Sequence, residues 1–140
     1  MSTFKKVLVV LVAAGFLLTA CGGQGATKVK ITLTEFGIQS SLTEFQTGVP
    51  YHFVVTNAGA VEHEIMIMPP LTDDQMSMNM DMEALDEMAL ALIEEEDLPS
   101  GATASMDYTF TEAAPAGTLE FACHTPGHYE AGMKLAITVK

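Results

Sequence analysis

Apolar and polar positions alternate along most of this chain with a period of two. Val29, Ile31 and Leu33 alternate with Lys28, Lys30, Thr32 and Thr34, and Tyr51, Phe53 and Val55 alternate within PYHFVVTN. The rhythm returns at Ala104, Met106, Tyr108 and Phe110, at Leu119, Phe121 and Cys123, and at Met133, Leu135, Ile137 and Val139. Residues of equal parity on a strand share a face, so each segment predicts a strand with one apolar side. Gly48 with Pro50, the NAGA at 57–60, Pro115 with Gly117, and Pro126 with Gly127 supply the turns between them. About six to eight short strands of this kind predict an all-β fold, an antiparallel β-sandwich.

One stretch breaks the rhythm. Residues 70–99 are rich in methionine and acid, and Met82, Leu85, Met88, Ala89, Leu92 and Ile93 recur at helical spacing. Asp81 suits the N-cap. Glu94, Glu95 and Glu96 fall at the wrong end for the helix dipole, so the last turn should fray. The segment reads as an inserted Met-rich loop and short helix lying over one side or end of the sandwich.

The first residues read as a sorting signal. Lys5 and Lys6 precede the apolar run VLVVLVAAGFLLTA at 7–20, which is shorter than the ~20 residues of a membrane span. Leu18, Thr19, Ala20 and Cys21 resemble the bacterial lipobox, whose cysteine is lipidated and becomes the new N-terminus. The organisation expected is a lipoprotein signal peptide at 1–20, a flexible tether at 21–27 around GGQGAT, and one domain at 28–140. The protein should be exported and held at the membrane by lipid, facing the periplasm or the exterior.

Charge narrows the partners. Without the leader, four lysines stand against 18 acids, a formal charge of −14. Such a surface repels nucleic acid and anionic lipid, and steers basic docking surfaces by an attraction that salt weakens.

Cysteine count then points to chemistry. With Cys21 lipidated, Cys123 has no disulfide partner, and a lone thiol in an oxidising compartment calls for an occupant such as a metal. Cys123 shares parity with Leu119 and Phe121, and Met133 with Leu135, Ile137 and Val139, so both sulfurs point inward. Pro126 and Gly127 turn the chain between them and let His128 fold back. In EHEIMIMP, His63 matches Ile65 and Ile67 in parity and supplies a fourth donor. Two imidazoles, a thiolate and a weaker thioether suit copper, which accepts soft sulfur and imidazole nitrogen together. Structural zinc rarely takes a thioether. His124, next to Cys123, and His52, out of step with Tyr51 and Phe53, are both expected to face solvent, the alternative for His124 being a role in partner docking or accessory metal binding.

YHFVVTNAGAVEHEIMIMP together with GTLEFACHTPGHYEAGMKLAITVK resembles the cupredoxins, the small blue copper proteins. The spacing from Cys123 to His128 to Met133, four residues in each gap, is similar to that of the auracyanin and rusticyanin branch. The resemblance covers residues 29–69 and 100–140. It implies a Greek-key sandwich, His63, Cys123 and His128 as equatorial copper ligands, Met133 as the axial ligand, and His128 near the surface as the electron's exit. One departure is Glu64, where the electron carriers often place Asn or Ser to tie the histidine strand to the cysteine loop. That substitution bears on the rigidity and potential of the site.

The function expected is that of a mononuclear type 1 copper protein, a monomeric one-electron carrier and not an enzyme, working between larger redox proteins. The alternative is a copper-trafficking or copper-resistance lipoprotein. Met76, Met78, Met80 and Met82, alternating in MSMNMDM, would then hold accessory Cu(I), because thioethers select that ion. Oxidase or nitrite reductase chemistry would require a second, open copper centre with further paired histidines.

Overall fold

The alternating segments pair into two sheets in the computed structural model, which describes residues 25–140 except residue 79. The leader, Cys21 and most of the tether lie outside the described residues. The first sheet contains β1 (Thr27–Thr34), β2 (Gly37–Ser40), β4 (Pro50–Asn57) and β7 (Thr103–Thr109), in the order β2-β1-β4-β7. The second contains β3 (Glu44–Phe45), β5 (Ile65–Met68), β6 (Ala91–Ile93), β8 (Ala114–Ala122) and β9 (Lys134–Val139), in the order β3-β9-β8-β5-β6. The sandwich is therefore as expected, with two differences. The described residues form nine strands, and the pairing is not purely antiparallel: β1 lies parallel to β4, and β3 parallel to β9. Each parallel pair joins strands that are distant in sequence, which local patterning does not reveal.

The inward parity is the one read from the sequence. Val29, Ile31, Leu33, Phe53, Val55, Ile65, Ile67, Phe121 and Ile137 are buried between the sheets. Phe45 packs against Phe53, Phe110 and Phe121 with ring centroids 5.8, 5.1 and 6.0 Å apart. An aromatic block of this size supplies much of the apolar area removed from water on folding.

The insertion folds differently from its helical periodicity. A short helix α1 (Asp73–Ser77) carries a capping box between Thr72 and Gln75, and a second, α2 (Met82–Met88), is capped as expected by the Asp81 side chain accepting from Ala84 N at 2.9 Å. α2 stops at Met88 instead of running on to Ile93. Ala89 is extended, Leu90 N donates to Ile67 O at 2.7 Å, and Ala91, Leu92 and Ile93 pair with Ile67, Met66 and Ile65. The open edge of β5 satisfies more backbone groups than one further helical turn would, and β6 forms there. Glu95 to Asp97 make a single 3-10 turn, so the glutamates sit beyond the helix and do not oppose its dipole.

The insertion covers the outer face of the second sheet, giving β5 two buried sides. Ile65 and Ile67 enter the sandwich core, whereas Met66 and Met68 enter a separate cluster with Leu85, Ala122 and Tyr129, flanked by Met80, Met82 and Met88.

Candidate metal centre

Three segments meet at one end of the sandwich. The loop after β4 presents His63, the end of β8 presents Cys123, and the turn before β9 presents His128 and Met133. The first loop is organised by Asn57, which is fully buried: its Nδ2 donates to Val61 O at 2.7 Å and to Leu98 O at 2.8 Å, and its Oδ1 accepts from Gly59 N at 2.8 Å. Glu35 Oε1 accepts from Ala60 N at 2.6 Å, and Ser100 Oγ donates to Gly59 O at 2.7 Å. Gly59 has to be glycine here, because a Cβ at that position would stand 2.8 Å from His63 Nε2. The NAGA segment reads from sequence only as a turn; its role as the cradle of His63 rests on Asn57 being buried.

The second segment turns as expected. Gly127 takes φ +85, His128 N donates to Thr125 O at 2.9 Å, and Met133 N donates to His128 O at 3.0 Å. Cys123 N donates to Met133 O at 3.1 Å, which fastens the cysteine and methionine ends of the loop together. Cys123 and Met133 are fully buried and belong to the sandwich core, as their parity predicts.

His63, Cys123 and His128 form a cluster whose potential ligand atoms all lie within 4.8 Å of one another. The two Nδ1 atoms are 3.2 Å apart, and Cys123 Sγ is 3.9 Å from His63 Nδ1 and 3.6 Å from His128 Nδ1. Three donors in a trigonal set with bonds of about 2.0–2.3 Å stand about 3.5–3.9 Å apart, so the triangle fits an ion of that size with small adjustments. The donor chemistry, two imidazoles and one thiol, fits copper. Burial, with His128 adding to it, holds the His63 pKa below the ordinary histidine value, so its ring is neutral and ready to ligate. Burial raises the Cys123 pKa; the thiol contacts Thr125 Oγ1 at 3.4 Å and keeps its proton until a metal displaces it.

Glu64 takes over the tie that its residue type had put in question. The carboxylate is buried, and Oε1 accepts from His124 N at 2.7 Å, joining the His63 loop to the cysteine loop across 60 residues of sequence. The other oxygen, Oε2, is buried with no hydrogen-bond partner among the described residues, and burial pushes the Glu64 pKa up to about 7.

His124 does not face solvent. It points away from Cys123, as parity requires, but the insertion covers that side and leaves the residue only 8% exposed. Its Nε2 lies 3.1 Å from Met68 Sδ, its ring stacks on Tyr129 at 4.3 Å, and desolvation lowers its pKa to about 4. His52 does lie on the outer face, with Nδ1 2.6 Å from Asp107 Oδ1. The four alternating methionines divide: Met76, Met80 and Met82 line one cavity, while Met78 stands out in solvent at 68% exposure. Among the described residues no helix is long and apolar enough to cross a membrane.

Residues 26–140 match the family model for copper-binding proteins of the plastocyanin/azurin family. The chain belongs to that family: it is a cupredoxin and a copper protein, with His63, Cys123 and His128 positioned as its type 1 copper site. Among solved structures it is similar to the sodium-dithionite-reduced auracyanin of Roseiflexus castenholzii, with a TM-score of 0.60 and 24% identity over 83% of this chain and 99% of that one. It is also similar to auracyanin B, with a TM-score of 0.61 and 21% identity over 82% and 89% of the two chains. These likenesses concern the fold. Among curated proteins it is 33% identical over 93 residues to the copper-resistant cuproprotein CopI of Rubrivivax gelatinosus, covering 66% of this chain and 53% of that protein. It is 25% identical over 148 aligned positions to CopI of Pseudomonas aeruginosa, covering 86% and 80%. The chain thus spans about half the length of the first of these relatives.

Proposed function

We propose that this protein is a one-electron carrier outside the cytoplasm, and the observation that carries the reading is the buried triangle of His63, Cys123 and His128. Copper bound there supplies a single redox step between Cu(II) and Cu(I). The chain's part is to hold the donors still. His63 Nδ1, His128 Nδ1 and the Cys123 sulfur would hold the copper, with the Met133 sulfur as a weaker fourth donor. Asn57, Gly59 and Glu64 fix the loops that present them. A donor set held by long-range hydrogen bonds moves little when the charge changes, which favours fast transfer. His128 is half-buried and meets the edge of the exposed Phe36 ring, with centroids 5.6 Å apart, so the electron leaves by that side. The acidic surface selects a redox partner with a basic docking face. A lipid on Cys21 keeps the monomeric carrier at the membrane.

The experiment is absorption and EPR spectroscopy of the Cu(II)-loaded mature chain, followed by electron exchange with a basic cytochrome. Intense thiolate-to-copper charge transfer and rapid exchange support the reading; a colourless complex, or one inert toward the cytochrome, removes it.

A second reading is copper handling, favoured by the likeness to proteins named copper-resistant cuproproteins and by the methionines of the insertion. Deletion of the gene from its host should then lower copper tolerance, and unchanged tolerance argues against it.

A further inference from the structure

Cys123 and His124, just past the end of β8, are neighbours that serve opposite sides of the sheet. Cys123 faces the type 1 site, while the ring of His124 lies beneath the insertion with Nε2 3.1 Å from the Sδ of Met68. His124 and Met68 are both buried, at 8% and 0% exposure. As a hydrogen bond this contact is poor compensation, since a thioether is a weak acceptor for an imidazole that has given up water. As metal donors the same atoms match in type, because imidazole nitrogen and thioether sulfur both suit soft monovalent copper, and the pair would open from 3.1 Å to about 3.7 Å around an ion.

The surroundings have the shape of a site with an entrance. His124 lines a cavity of about 400 Å³ together with Met76, Met80, Met82 and Tyr129. The Tyr129 ring stacks on His124 with planes 20° apart, its hydroxyl donates to Glu120 Oε1 at 2.6 Å, and it accepts from Leu71 N at 3.2 Å. The imidazole is therefore held in orientation on the sheet side. Of the methionine wall, by contrast, Met76 and Met82 are carried by helices of five and seven residues and Met80 lies just before the second, so the wall is short enough in its elements to adjust around an ion.

We propose that His124 and Met68 form a second metal site, specific for a soft monovalent cation of the Cu(I) class, completed by Met80 or Met82 from the cavity wall. The site replaces the linear array of Met76, Met78, Met80 and Met82 with a mixed nitrogen and sulfur set. It gives the copper-handling reading its ligands and stands or falls separately from electron transfer, since none of its donors belongs to the type 1 triangle.

The test uses Ag(I), a redox-inert stand-in for Cu(I), added to the mature chain already loaded with Cu(II). Binding is read by calorimetry and the type 1 absorption is followed in the same samples. One Ag(I) should bind per chain with the type 1 absorption retained, and the His124 ring nitrogen resonance should shift in the matched sample carrying Cu(I) at the type 1 site. His124→Phe and Met68→Leu should abolish binding. Because both positions are buried, the double variant Met80→Leu with Met82→Leu provides a milder arm and should weaken binding by about tenfold or more. Met78→Leu, outside the cavity, should leave it unchanged. No Ag(I) uptake with the type 1 absorption intact overturns the proposal. So does uptake only by displacement of copper, uptake preserved in a folded His124→Phe protein, or loss of uptake on Met78→Leu. Loss of type 1 absorption before any Ag(I) is added would count against the electron-carrier reading alone.

Discussion

The two sides of β5 and β8 are built from the same backbone alternation, and they differ in what closes them. On the inner side, Ile65, Ile67, Phe121 and Cys123 face a second sheet, and the loops that carry the copper donors are bound by Asn57, Glu64 and the Cys123 to Met133 backbone bond. On the outer side, Met66, Met68, Ala122 and His124 face two short helices joined to the sheet by the three-residue strand β6. A donor set that must keep its geometry through a change of charge needs the first kind of wall. A set that has to admit an ion from solvent is better served by the second. The sheet thus offers a fixed chamber on one face and an adjustable one on the other, and the alternation carried on past β8 puts Cys123 in the first and His124 in the second.

The sharpest way to separate the chambers is to remove the sulfur of the fixed one. Cys123→Ser should abolish the intense visible absorption of the Cu(II) protein altogether, whereas Leu85→Ala, in the outer cluster, should leave that absorption in place. A Cys123→Ser protein that kept its colour would end the assignment of this thiolate as a ligand.

Next in size is the packing contrast. Phe53 is fully buried against Phe45 and Phe121, and Phe53→Ala should cost about 3–5 kcal/mol in denaturant unfolding. Leu85 is 5% exposed and roofed only by short elements that can close over the gap, so Leu85→Ala should cost about 2 kcal/mol, near the low end for its type. Equal costs would mean that the outer cover is as rigid as the core.

The boundary between the chambers carries a pH dependence. Glu64 ties them through His124 N, and its folded pKa of about 7 lies above the ordinary carboxylate value of 4.5. The sign follows from that direction: the group's contribution is fully present below about pH 4.5 and is lost as pH rises through about 7. Glu64→Gln keeps an oxygen for His124 N and removes the ionisation. The metal-free wild-type chain should therefore lose stability relative to Glu64→Gln between about pH 4.5 and 7, by on the order of 3 kcal/mol, and hold that difference above. Parallel stability profiles for the two proteins would show that the buried Oε2 finds a partner on ionisation.

What the sequence made legible is whatever one strand decides by itself. Parity placed Cys123, Met133 and His63 inward, and the turn at Pro126 and Gly127 brought His128 back. Wherever a second, distant segment decides, the sequence was silent. Parity turned His124 outward correctly, but only the docked insertion makes outward mean buried. Leu92 and Ile93 fit a helical stripe and an alternating strand equally well, and the free edge of β5 chose the strand. Glu64 looked like a departure because its residue type was compared, whereas the atom that matters is an oxygen able to accept from His124 N.

The smallest expected effect tests whether the outer chamber is as adjustable as its short helices suggest. Asp81 caps α2 through Ala84 N, and Asp81→Ala should cost about 1 kcal/mol. If the cover opens locally, that loss should appear in hydrogen exchange of α2 amides such as Leu85 N, which donates to Asp81 O, and leave exchange in β5 and β8 unchanged. A seven-residue helix has little stability apart from its packing, so removing its cap shifts the opening of the cover and not the global transition. Faster exchange spreading equally through β5 and β8 would mean that both chambers unfold together, and the division between a fixed wall and an adjustable one would have to be given up.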